Sequence, residues 1–113
     1  MDRDLDFWIR DCIRIIDGAA QIVARGEAAF FAADNSVEFG AARMVVLDLD
    51  VAADHLGTDF KAAHPEIPWS ALARTRDKFA HHDEDINRDV VWNLLTTRLP
   101  RIARILRASL GDH

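Results

Sequence analysis

Residues 66–102 read "EIPWSALARTRDKFAHHDEDINRDVVWNLLTTRLPRI", and several signals inside them set the secondary structure. Pro65 and Pro68 disfavour helix at the residues before them, His64 and Ile67. Pro68 itself suits the first position of a new helix, where its missing N–H costs nothing. "WSALARTRDKFAH" then continues at helical spacing, and "HDEDIN" is a polar connection. Asn87 is placed to cap the last helix. Val90, Val91, Leu94, Leu95, Ile102, Ile105 and Leu106 form that helix's core face. Pro100 predicts a kink and not a stop, because the apolar spacing continues beyond it.

The same periodicity extends toward the N-terminus. A first helix is expected from about Asp4 to about Arg25. Leu5, Ile9, Cys12, Ile16, Ala19 and Val23 make one apolar stripe, and Trp8, Ile15 and Ile22 a second. A helix apolar on two sides has more than one partner to pack against. Asn35, with Glu38 three residues on, resembles a capping box for a second helix. That helix is expected to run to about Leu56 and stop at Gly57. Strand signals are nearly absent, and the chain has no Tyr and no Asn-Gly turn. The expected fold is all-α, a four-to-five-helix bundle in one domain over residues 1–113.

Composition bounds the function. Of the 113 residues, 50% are apolar and 29% charged, which suits an ordinary globular protein and not a disordered one. No apolar run is long enough to span a membrane. The acidic, amphipathic start is unlike a signal or transit peptide, and a cytoplasmic location is the expectation. Cys12 is a lone cysteine among isoleucines and reads as a small core residue. The net charge of −5 speaks mildly against nucleic acid. It hides an asymmetry: residues 1–68 carry 6 Lys/Arg against 13 Asp/Glu, and residues 69–113 carry 8 against 6. Local charge matters more than the mean at a phosphate site.

One residue breaks the pattern. At about 100° per residue, Trp69, Leu72, Phe79 and Ala80 share one arc, and Arg76 sits in its middle. Asp83 falls near it if the helix continues. A guanidinium on an apolar stripe is costly unless paired or placed at a cleft. Asp77 and His81 form an (i, i+4) pair, with Arg74 a turn back, and such an acid can fix a histidine tautomer. The plainer alternatives are that Arg76 snorkels past the core edge or bridges to an acid of another helix, and that His81 simply ends the helix.

The stretch resembles the HepT-like family of HEPN-domain proteins, the toxins of HepT/MntA-type toxin–antitoxin pairs. Ile67-Pro68-Trp69, Arg76-Asp77, His81, Val91-Trp92 and Leu99-Pro100 follow the family pattern in order. Two features depart from it. Asp83 stands where the family has Tyr, the reported target of nucleotidylation by the antitoxin. "LDLDVAAD" stands where many relatives carry Gly-Glu. The resemblance implies a metal-independent endoribonuclease without a cofactor, active as a homodimer with both motifs lining one cleft. It implies RNA as substrate and a nucleotidyltransferase (MntA-like) antitoxin as partner. In that reading His81 moves the proton, Arg76 holds the phosphate, and Asp77 orients His81 or shapes the Arg76 network. Asp83, Arg74, Lys78 and His82 then modulate RNA binding. The rival readings are a non-catalytic nucleotide- or RNA-binding module and a helical scaffold partner.

Other constellations are weaker. His81 and His82, adjacent in a helix, point about 100° apart and do not chelate together. "DEDIN" begins like a calcium loop, but Arg88 stands where Gly is required and Leu94 where Glu is required. Arg98, Arg101, Arg104 and Arg107 make a solvated face or an RNA-backbone track. Trp69 and Trp92 read as core residues, and His55 and His64 as surface or cap residues.

Overall fold

The structure is a computed structural model that describes residues 3–33, 36–81 and 86–111. All the secondary structure among the described residues is helical. Four long rods form a bundle: α1 (Arg3–Ala24), α3 (Val37–Asp54), α5 (Trp69–Ala80) and a C-terminal rod. That last rod is continuous through α6 (Arg88–Asn93), a π-helical segment (Leu94–Arg98) and α7 (Leu99–Gly111). Two short helices, α2 (Glu27–Phe30) and α4 (Gly57–Ala63), occupy stretches expected to be loops.

α1 is the centre of the bundle and packs on both α3 and α7. This accounts for its two apolar stripes. Ile15 and Ile22 of the second stripe are 8% and 6% exposed within the chain itself. The partners of the doubly apolar α1 thus lie within the same chain. Trp8, of the same stripe, is half-buried and stacks on His55 at 3.9 Å between ring centres. Cys12 is buried in the core, and burial, reinforced by the charge of Asp11, pushes its thiol up to about 12. A thiol so poised is protonated at neutral pH and is not a nucleophile.

The caps explain the helix ends. Asn35, the expected cap of α3, lies outside the described residues, and the cap is Ser36. The Ser36 hydroxyl accepts from the Phe39 N–H at 3.0 Å and donates to the Phe30 carbonyl at 2.8 Å. One hydroxyl thus starts α3 and ties α2 to it. α3 ends at Asp54 with His55 as its C-cap, two residues before the expected Leu56. Gly57, at φ +85°, turns the chain into α4 from a backbone region where a side chain is strained. α4 ends on His64, so both histidines are helix caps, as their neighbourhoods suggested.

Asn87 caps α6 as expected, its side-chain oxygen accepting from Asp89 N–H at 2.9 Å and Val90 N–H at 3.2 Å. Asn87→Ala should lower stability by about 1 kcal/mol. An unshifted urea midpoint would show the cap to be dispensable. A π-helical segment, Leu94–Arg98, ends two residues before Pro100. The proline ring cannot sit under the carbonyl four residues back, and a π turn makes the room. The Thr96 hydroxyl then donates to the Trp92 carbonyl at 2.9 Å within that segment.

Candidate functional site

α5 lies along α3. Phe79 anchors it, 1% exposed, with its ring 5.7 Å from that of Phe39. Trp69 fixes its start. The half-buried indole N–H is shared between the carbonyls of Lys61 at 3.1 Å and His64 at 3.0 Å. Trp69 therefore ties α5 to the frayed end of α4, a structural duty that agrees with its reading as a core residue. Trp92 likewise packs against Phe30, at 5.1 Å between ring centres.

Arg76 sits at the edge of the α3–α5 seam. Its Nε is 3.2 Å from Asp50 Oδ2, and its Nη1 donates to Asp77 Oδ1 at 3.0 Å. The arginine is 42% exposed, Asp50 35% and Asp77 60%. This is the bridge to an acid of another helix that the sequence left open. Arg76 is thus both paired and accessible: its charge is balanced, and the guanidinium still meets solvent. Asp50 also lines a small apolar cavity of about 50 Å³ with Val46, Leu49, Leu72 and Leu94.

Asp50 was missed in the sequence, although a signal was there. Ala42, Val46, Leu49 and Ala53 form the buried stripe of α3. Asp50 is four residues after Val46 and three before Ala53, on that same stripe. Two facing helices, each with one charge of opposite sign on an apolar stripe, predict an ion pair between them. "LDLDVAAD" was read only as a departure from a pattern, not as the complement of Arg76.

His81 is the exposed C-cap of α5, and its backbone N–H bonds the Asp77 carbonyl at 3.0 Å. The Asp77 carboxylate is turned to Arg76 instead. Of the two roles expected of Asp77, its side chain fills the one in the Arg76 network and not that of orienting the imidazole. Arg74 and Lys78 are exposed on α5. His82 and Asp83 lie outside the described residues, as do Glu84 and Asp85. On α7 and the π segment, Arg98, Arg101, Arg104 and Arg107 are all exposed. Arg107 spends its charge on Asp17 of α1, at 2.7 and 2.5 Å. No described helix is long and apolar enough to cross a membrane.

A helical bundle with an accessible arginine held between two acids, five residues before a histidine at a helix end, defines a class of candidate anion sites. Comparison with known proteins gives the family. The profile of the ribonuclease HepT-like family matches residues 3–109, and the chain belongs to that family. It is 34% identical over 73 residues to a Methanocaldococcus jannaschii protein named "Putative RNase", covering 62% of this chain and 60% of that one. It is 32% identical over 72 residues to "Probable ribonuclease HepT" of Thermococcus cleftensis, covering 64% of each. A second M. jannaschii "Putative RNase" is 21% identical over 110 residues, covering 97% of this chain and 90% of that one. The matches thus span less than two thirds of the first two relatives' own lengths. No solved structure matches the chain significantly.

Proposed function

We propose that this chain is a metal-independent endoribonuclease, the toxin of a toxin–antitoxin pair, built as one HEPN-like domain and acting in the cytoplasm. The observation that carries the reading is Arg76: paired with Asp50 and Asp77, still 42% exposed, and five residues before an exposed His81. Family membership over residues 3–109 supports it. Arg76 holds the scissile phosphate and stabilises the charge that develops on it. His81 takes the proton of the ribose 2′-hydroxyl. The 2′-oxygen attacks phosphorus, the bond to the 5′-oxygen breaks, the protonated His81 returns its proton to that leaving oxygen, and the products are a 2′,3′-cyclic phosphate and a 5′-hydroxyl. Proton transfer and phosphate binding suffice for this transesterification.

Residues five apart on one helix point about 140° apart. Either of two arrangements brings them together: the helix ending at His81, as α5 does with His81 as its C-cap, or a second copy related by a two-fold axis. We propose the second, with Arg76 and His81 of both copies lining one cleft. Arg74 and Lys78, both exposed, extend the positive surface along α5. A nucleotidyltransferase antitoxin neutralises the toxin.

The test is RNA cleavage by the wild-type chain in excess EDTA. Fragments ending in a cyclic phosphate are the expected products, and intact RNA overturns the reading. The balanced charge of Arg76 favours a second reading, a non-catalytic module that only binds RNA. Retention of RNA with no cleavage, with or without divalent metal, would select it.

A further inference from the structure

We propose that Asp50 is the positioning residue of Arg76, and that it lowers the site's attraction for RNA in the ground state as the cost of holding the arginine in place. The proposal rests on reading Arg76 as the group that holds phosphate.

Three observations carry it. First, Asp50 and Arg76 come from different helices, α3 and α5, so their 3.2 Å contact fixes the guanidinium across the seam rather than along one helix. Second, the contact is made at Nε, and Asp77 takes one hydrogen of Nη1. These two contacts use neither Nη2 nor the second hydrogen of Nη1, the far end of the fork. A phosphate can be received there by two parallel N–H donors. Third, Asp50 lines a small apolar cavity with Val46, Leu49 and Leu72, and its side chain is only 35% exposed. An arginine gripped from behind by a carboxylate loses little freedom when it meets the phosphate, and such preorganisation favours the transition state.

The grip has a second effect. Asp50, Asp77 and Arg76 together carry a net charge of −1, so the end of the fork meets an incoming phosphate with its attraction largely cancelled. A unit charge about 6 Å from the phosphate, at an effective dielectric of about 40–80, changes affinity about three- to tenfold. Asp50 should therefore raise KM and raise kcat together. A residue that only stabilises the fold has no reason to move the two in that way.

The experiment compares wild type with Asp50→Asn, Asp50→Glu, Arg76→Ala and the double variant Asp50→Asn/Arg76→Ala. Binding is titrated with a cleavage-resistant 2′-O-methyl RNA decamer, and cleavage is followed with unmodified RNA. Asp50→Asn should bind the decamer about three- to tenfold more tightly and cleave RNA with a lower kcat. In the Arg76→Ala background the same substitution should still tighten binding, because the carboxylate repels the phosphate directly, but should leave kcat unchanged, because Asp50 acts on the rate through the arginine. Asp50→Glu keeps the charge and should keep affinity near wild type, so it also serves if the asparagine variant folds poorly.

Unchanged or weaker affinity in Asp50→Asn overturns the proposal, and so does an equal fall in kcat with Arg76 removed. A kcat that holds or rises in Asp50→Asn overturns it as well. These outcomes leave the ribonuclease reading standing if the wild type cleaves. Binding that follows the expected pattern without cleavage by any variant overturns the ribonuclease reading and supports the Asp50–Arg76 coupling. Absence of binding by wild type and all variants overturns both.

Discussion

Substitution of His81 by alanine is expected to slow RNA cleavage by about 10²–10⁴-fold, the usual contribution of a positioned general base or acid. The fold should be little changed. His81 is exposed and caps α5 through its backbone N–H to the Asp77 carbonyl, a bond that alanine retains. Surface changes of this kind cost less than about 0.5 kcal/mol. Single-turnover cleavage together with thermal denaturation separates the two effects. Partial recovery of the rate by added imidazole would show that proton transfer was lost, and not structure. A variant as fast as the wild type would remove His81 from the chemistry.

Arg76→Ala should cost about 10²–10³-fold in kcat, comparable to deleting one preorganised donor at a charged transition state. The loss has two sources. The fork that holds the phosphate is gone, and Asp50 and Asp77 are left beside the phosphate with no cation between them. Arg76→Lys should recover only part of the rate, since an ammonium restores charge but not two parallel donors. Stability should fall by no more than about 1 kcal/mol, because the ion pairs are partly exposed. A collapse of the fold in Arg76→Ala would instead assign the arginine to the α3–α5 seam alone.

Much of the fold was legible because periodicity reports burial. Phe79 and Leu72 marked the inner arc of α5, and Val91, Leu94, Leu95, Ile102 and Leu106 marked the C-terminal rod. Asn87 announced its cap. What was not legible is where periodicity is too short to read. α2 and α4 have four and seven residues, fewer than the window in which a stripe is visible. Pro100 was seen to disturb the rod, but a proline specifies a conflict and not its resolution. The second stripe of α1 was legible as apolar, but not that helices of the same chain, α3 and α7, pack on α1, because which helix returns to cover a face is set by tertiary topology.

The candidate site was half legible. Arg76 stood out as a charge on an apolar arc, and His81 stood out beside it. Asp50 lies 26 positions earlier, and only the packing of α3 on α5 brings it to Arg76. Asp77 illustrates the opposite error. Its spacing to His81 is that of an (i, i+4) pair, but a neighbouring guanidinium competes for the carboxylate. A charge-assisted bond to Arg76 is stronger than one to a neutral ring.

Complementation tests the composite site most directly. Arg76→Ala and His81→Ala chains, each inactive alone, are co-expressed with different tags, and the mixed dimer is isolated. A cleft that draws Arg76 from one copy and His81 from the other is whole in that dimer, and RNA cleavage should return. A mixed dimer as inactive as either parent would contradict a site shared between two copies.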